Sequence, residues 1–253
     1  MPLARPISRP RQELRALGAA VSFLTRIPVP GVFDAADLRR ASVYFPLVGA
    51  GIGSLCGRLA RAWGPPVALT VEALLTGALH LDALADSADG LGGRDRAHAL
   101  EIMRDSRLGS FGAVALILDL TLRGAALQRC ADPVRAARSA GALARAVPVV
   151  LAVTLPYVRA EGTGAALETT TPARAVLGAG LAAGLSGDPA AIGAAALFTA
   201  ASAGFWRDRI GGVTGDVLGA SIELGSTLLL VLASTRTGPA VIRSWSGGPE
   251  ESR

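Results

Sequence analysis

The sequence predicts an all-α protein: a polytopic membrane bundle of about six or seven apolar helices, some of them half-inserted. Three observations predict it. Of 253 residues, 51% are hydrophobic and only 18% charged, and the mean hydropathy is +0.44, which is too apolar for a soluble domain of this size. Aromatic residues make up only 4%, so the apolar content is chiefly Ala, Leu, Val and Gly, which suits helices packed closely through small residues. These residues are gathered into segments at roughly 42–60, 65–81, 109–122, 139–157, 173–186, 190–206 and 213–233.

In chain order, the basic segment 1–22 opens with "MPLARPISRPRQELR", where no A-x-A-type site follows a short apolar core, so a removable signal peptide is not expected. Segment 42–60 carries Gly49, Gly53 and Gly57 at a spacing of four, a stripe for close helix packing. Its "GAGIG" lacks the last Gly of a dinucleotide fingerprint. "LSGDP" (185–189) is a turn, because Gly and an Asp before Pro resist helix. Several segments fall short of the ~20 residues of a full span, hence the expectation of half-inserted helices. A polar tail occupies 234–253, and no linker or repeat divides the chain, so one membrane-integral domain over 1–253 is expected. Pairing successive segments returns the chain to one face each time and groups loops 82–108, 158–172 and 207–216 there; with a cytoplasmic N-terminus that face is cytoplasmic. Arg58, Arg61, Arg123, Arg129, Arg135 and Arg138 then fall on the opposite face, against the positive-inside tendency.

The net charge of +5 rests on Arg alone, since the chain has no Lys. That excludes a P-loop lysine, a Schiff-base lysine and a pyridoxal phosphate anchor. Cys56 and Cys130 stand far apart in apolar or mixed surroundings and read as packing residues.

Three stretches carry chemistry. In "HLDALADSADG" (80–90), Asp82, Asp86 and Asp89 stand at i, i+4 and i+7 and project from one helical face. Like charges so placed cost a helix about 0.2–0.5 kcal/mol per pair unless a cation lies among them. A lone Asp near Gly would read as a helix cap; three on a stripe of Ala and Leu point to a bound metal. In "GRDRAHALEIMRDSRLGSFG" (93–112), Arg94, Arg96 and His98 are expected to be solvated. Arg104 and Arg107, before Gly109 and Gly112 at a helix start, are placed to hold phosphate with free backbone N–H groups. In "RDRIGGVTGDVLGASIEL" (207–224), Gly211, Gly212 and Gly215 lead into a helix near Asp216, where Thr214 or Asp216 is either an N-cap or part of a site.

With these blocks, "FLTRIPVP" (23–30), "YFPLVGAGIG" (44–53) and "ARAVPVVLAVTLPYVRAEGTG" (144–164) make the chain similar, from residue 23 to about 232, to the cobalamin synthase family of adenosylcobinamide-GDP ribazoletransferases. Ala83 departs from the Gly of many members, a change in packing more than in chemistry. The resemblance implies a multi-pass, magnesium-dependent transferase of the cell inner membrane, in contact with lipid. It would join adenosylcobinamide-GDP to α-ribazole or its 5′-phosphate and release GMP in cobalamin biosynthesis. Asp82, Asp86 and Asp89 become the Mg²⁺ ligands, with one of them available as general base. Asp82, His80 and Asp216 are the catalytic candidates, and Arg104, Arg107, Asp105 and Gly215 the phosphate- or substrate-binding ones. His80 reads equally well as a packed interfacial histidine. Nucleic acid is not an expected partner; a homo-oligomer is compatible with the sequence.

Other classes fit less well. A secondary transporter favours repeated halves and charges at the bilayer midplane, whereas these acids cluster at segment ends. An intramembrane aspartyl protease needs Tyr-Asp and Gly-x-Gly-Asp, and the chain has Val213-Thr-Gly-Asp216. CDP-alcohol phosphotransferases share the chemical logic by analogy only.

Overall fold

The computed structural model describes residues 9–159, 167 and 170–236. The tail beyond Arg236 and most of loop 158–172 lie outside the described residues, as do the first eight. Among the described residues the chain is all-α, and its one β feature is an isolated parallel bridge between Tyr157 and Val213.

Two helices precede the apolar segments. α1 (Arg9–Leu24) buries Ala16, Ala19, Ala20 and Leu24, and Phe23 stacks on Phe45 at 5.5 Å. α2 (Ala35–Ala41) starts at a capping box made by Asp34 and Asp37, and Arg15 holds Asp37 at 2.7 Å. A 3₁₀ turn (Ser42–Tyr44) leads into α3 (Phe45–Trp63). The bundle continues with α4 (Pro65–Thr76), α5 (Leu79–Gly90), α6 (Arg96–Ile102), α7 (Ser110–Arg129) and α8 (Pro133–Thr154). It closes with α9 (Pro172–Ser186), α10 (Pro189–Ile210) and α11 (Gly215–Arg236).

Five stretches are long and apolar enough to cross a membrane: Ala36–Trp63, α7, α8, α10 and α11. The run expected at 65–81 is not one helix. It breaks after Thr76, where Gly77 and Ala78 both take left-handed backbone (φ 65° and 56°), and α4 and α5 meet at 91° as a broken sixth passage or a re-entrant loop. Gly77 is needed there both for its φ and because a Cβ would collide with the Arg26 side chain.

The glycine stripe of α3 does what its spacing predicts. Gly49, Gly53 and Gly57 lie against the backbone of Gly141, Ala137 and Pro133 on α8, so close that any Cβ would strike a carbonyl. The "LSGDP" turn is present too. Gly187 is left-handed, Asp188 caps α10 through the N–H groups of Ala190 and Ala191, and Arg236 pairs with Asp188 at 3.1 Å.

The ends of these helices set the site. Val158 N–H donates to Val213 and Val213 N–H to Pro156, each at 2.9 Å. Arg209 donates to the carbonyls of Gly90, Leu91 and Gly93, closing the C-terminal end of α5. The loops after α5, after α8 and before α11 therefore meet on one face, as the alternation of segments predicts.

Candidate active site

α5 presents the acidic stripe to the start of α11. The two helices approach closely because Gly219 leaves room for the Cβ of Ala83, so the extra methyl at position 83 is accommodated by a glycine on the facing helix. Thr214 caps α11: its hydroxyl accepts from Val217 N–H at 3.2 Å. Asp216 is thereby free of capping, and its carboxylate instead receives Arg159 at 2.6 Å and the Thr214 hydroxyl at 3.4 Å. Asp86 lies within electrostatic reach of Asp82, Asp216 and Arg159, and Asp216 within reach of Asp82. A small cavity of about 70 Å³ opens beside them, lined by Asp82, Asp216 and Gly215, by His80, and by the apolar faces of Phe23 and Phe45.

Asp89, expected among the metal ligands, is used otherwise. Its two oxygens accept from Gly109 N–H (2.7 Å) and Gly112 N–H (2.8 Å) at the start of α7. A Cβ at either glycine would collide with this carboxylate, which is why both positions are Gly. The backbone N–H groups expected to hold phosphate are thus already filled by an anion from α5, the charge a helix N-terminus favours. Arg104 is exposed. Arg107, its side chain 88% exposed, grips Asp105 through Nε at 3.0 Å. That hydrogen bond, with one from the Arg107 backbone, holds the Asp105 carboxyl down at about 2. These three residues form a surface turn away from the cavity lining. Arg94 and Arg96 are both exposed, as expected, and the Arg96 guanidinium lies against the left-handed Gly211.

His80 is buried, with Nδ1 3.9 Å from Glu223. Behind it lies an ionic cluster that sequence reasoning missed. Arg123 bridges Glu223 and Glu72 (the latter at 2.7 Å) and lies 3.8 Å from Asp119; Arg145, 1% exposed, stands 3.8 Å from Glu72; Thr227 donates to Asp119. Arg123, expected on the opposite membrane face, is buried in the bundle. The signal was present: Glu72 inside "VALTVEALL", Asp119 and Arg123 at i, i+4 inside "LILDLTLRG", and Glu223 in α11 are ionisable residues within apolar segments. Arg159 was also missed: it lies within the block 144–164, but no spacing there marks it and its partner Asp216 is distant in sequence.

Among the described residues, no three side chains already stand as a closed metal-binding set. Asp82, Asp86 and Asp216 are the carboxylates that share this face, oxygen donors of the hard type that Mg²⁺ prefers.

The sequence matches the cobalamin-5-phosphate synthase family over residues 16–234. It is 38% identical over 243 residues to adenosylcobinamide-GDP ribazoletransferase of Klebsiella pneumoniae, covering 86% of this chain and 98% of that protein. It is 40% identical over 242 residues to the Azorhizobium caulinodans protein of the same name, covering 83% and 92%. To the Ralstonia nicotianae protein of that name it is 38% identical over 244 residues, covering 87% and 95%. No solved structure matches it. A match spanning α1 to α11, together with acidic blocks that the fold brings to one face, places this chain in the cobalamin-5-phosphate synthase family.

Proposed function

We propose that the chain is an adenosylcobinamide-GDP ribazoletransferase whose reaction takes place between α5 and the start of α11. The observation that carries this reading is that Asp216 and Arg159, far from residues 82–86 in sequence, share one face with Asp82 and Asp86. Family membership favours this over transport.

In the reaction, a ribose hydroxyl of α-ribazole, or of its 5′-phosphate, attacks the corrinoid-side phosphorus of adenosylcobinamide-GDP. A new O–P bond forms, the P–O bond to the bridging oxygen breaks, and that oxygen leaves on GMP. Asp82, on the cavity wall, takes the hydroxyl proton. Asp82, Asp86 and Asp216 would hold a magnesium ion, which would supply charge neutralisation for the phosphate oxygens. Asp89 and Arg209 hold the two ends of the loop after α5, so the carboxylates above it stay aligned. His80, in the first turn of α5, stands between the cavity and the buried cluster, with Nδ1 3.9 Å from Glu223. A nucleotide-activated substrate is met on the cytoplasmic side, so the face bearing the site is read as cytoplasmic.

The test is GMP release by purified, detergent-solubilised protein given adenosylcobinamide-GDP with and without α-ribazole. Release that requires both the acceptor and magnesium is expected. No release with both substrates and magnesium present would overturn the assignment, and full release in excess chelator would overturn the metal.

A further inference from the structure

We infer that Arg159 is the residue that grips the pyrophosphate of the nucleotide-activated substrate, through the edge of its guanidinium formed by Nε and Nη2. This inference rests on the reading of the site given above and adds a residue to it. Nη1 is committed to Asp216 at 2.6 Å. Nε and Nη2 are buried and have no hydrogen-bond acceptor among the described residues. The side chain is only 12% exposed, so water does not freely replace a missing partner. On a planar guanidinium, Nε–H and Nη2–H point the same way and match two oxygens of one phosphate or carboxylate. The unmatched donors are therefore an adjacent bidentate pair.

The surroundings define what fits that pair. Among the described residues, the carboxylates around it already belong to the site: Asp216 holds the other side of the guanidinium, Asp86 is within electrostatic reach of it, and Asp82 is within reach of both carboxylates. A protein carboxylate that bound the free edge would add to an acidic cluster that, among the described residues, has no other cation within it. A phosphate oxygen pair whose charge is shared with a cation on those same carboxylates meets no such penalty. The backbone beside Arg159 is held in place, because Val158, its neighbour, is pinned to Val213 by a hydrogen bond of 2.9 Å. The guanidinium thus connects the α8 end of the chain to the Gly-rich turn before α11, where the transferring phosphorus must lie if Asp82 and Asp216 flank it. Lysine could supply charge at this point but not two parallel donors.

The experiment uses full-length protein in detergent. Wild-type GMP release, dependent on α-ribazole, is measured first; its absence would overturn the assignment of the site itself, and this inference with it. Arg159→Gln and Arg159→Lys are then compared with Arg94→Gln, a change at a solvated surface arginine. Arg159→Gln should raise KM for adenosylcobinamide-GDP, and the dissociation constant for GDP measured by calorimetry, by about 10- to 100-fold, the loss of charge-assisted hydrogen bonds. KM for α-ribazole should stay within about twofold, as expected where no hydrogen bond to that substrate is lost. Arg159→Lys, which keeps the charge that balances Asp216, should remain folded and recover only part of the loss. Unchanged GDP binding, a parallel rise in both KM values, or full recovery by lysine would each overturn the bidentate role while leaving the assignment of the site standing.

Discussion

Asp89 shares a helical face with Asp82 and Asp86, yet its surroundings differ completely, and the difference decides what each substitution does. Asp89 satisfies two N–H groups at the start of α7, so Asp89→Ala leaves donors without acceptors and should cost about 0.5–2 kcal/mol, the range for loss of an N-terminal cap. Asp82 and Asp86 face other carboxylates, and neutralising either relieves repulsion. Asp82→Asn and Asp86→Asn should therefore abolish most GMP release while the thermal midpoint without metal holds or rises; Asp89→Ala should lower the midpoint. Asp216→Asn belongs with the first pair in activity, and Asp208→Asn, outside the cavity lining, should have a much smaller effect. Normal turnover in all three of Asp82→Asn, Asp86→Asn and Asp216→Asn would remove the acidic face from catalysis. The sequence could not separate Asp89 from its neighbours because spacing reports which face of a helix a side chain occupies, not what a loop over twenty residues later brings against it. Arg107 misled for the related reason that a guanidinium beside glycines looks like an anion site until a local carboxylate, here Asp105, takes it.

At the scale of helices, periodicity was a good guide wherever one element answers to one neighbour. The Gly49–Gly53–Gly57 stripe specifies contact with a backbone, and α8 supplies that backbone. It also gives a sharp test. Gly53→Ala puts a methyl into the Ala137 carbonyl, so α3 must move off α8 and the thermal midpoint in detergent should fall. At Gly51, on the same helix, a Cβ meets nothing within 4 Å, and Gly51→Ala should be neutral or stabilising, with up to about 1 kcal/mol from helix propensity. Equal effects at the two positions would mean that α3 and α8 are not packed through glycine. The break between α4 and α5 was not legible, because Ala78 in left-handed conformation goes against its own propensity and is held there by tertiary structure. The buried ion cluster was overlooked for the opposite reason: Glu72, the pair Asp119 and Arg123, Arg145 and Glu223 stand in four separate apolar segments, and only the packing of α4, α7, α8 and α11 makes them one group. Once assembled it ties four helices behind the site. Removing Arg123 alone would strand carboxylates in the interior, whose cost for a buried pair is about 3–5 kcal/mol.

For the whole molecule, hydropathy gave the class and segment alternation gave the grouping of loops, because both depend on the bilayer and not on particular contacts. What alternation alone leaves to experiment is the side of the membrane. The structure sets Arg107 on the face of the site, in the loop after α6, and Arg61 near the end of α3, one membrane passage away. Both side chains are exposed, while the native Cys56 and Cys130 are buried and give little background to a thiol reagent. Arg107→Cys and Arg61→Cys are therefore paired reporters. In right-side-out vesicles an impermeant maleimide should label the cysteine at 61 and spare the one at 107 until the membrane is permeabilised, if the site faces the cytoplasm. The reverse pattern would keep the fold and invert the orientation. Labelling of both without permeabilisation would show that α4 and α5 do not carry the chain back across, either because they form a re-entrant loop or because the chain lies on one side of the bilayer. In the second case a wash in high salt or alkali should release it, since surface attraction through Arg is screened while buried apolar helices are not. Retention in the membrane pellet through both washes, together with labelling on opposite sides, is the outcome required if α4 and α5 together make a sixth passage.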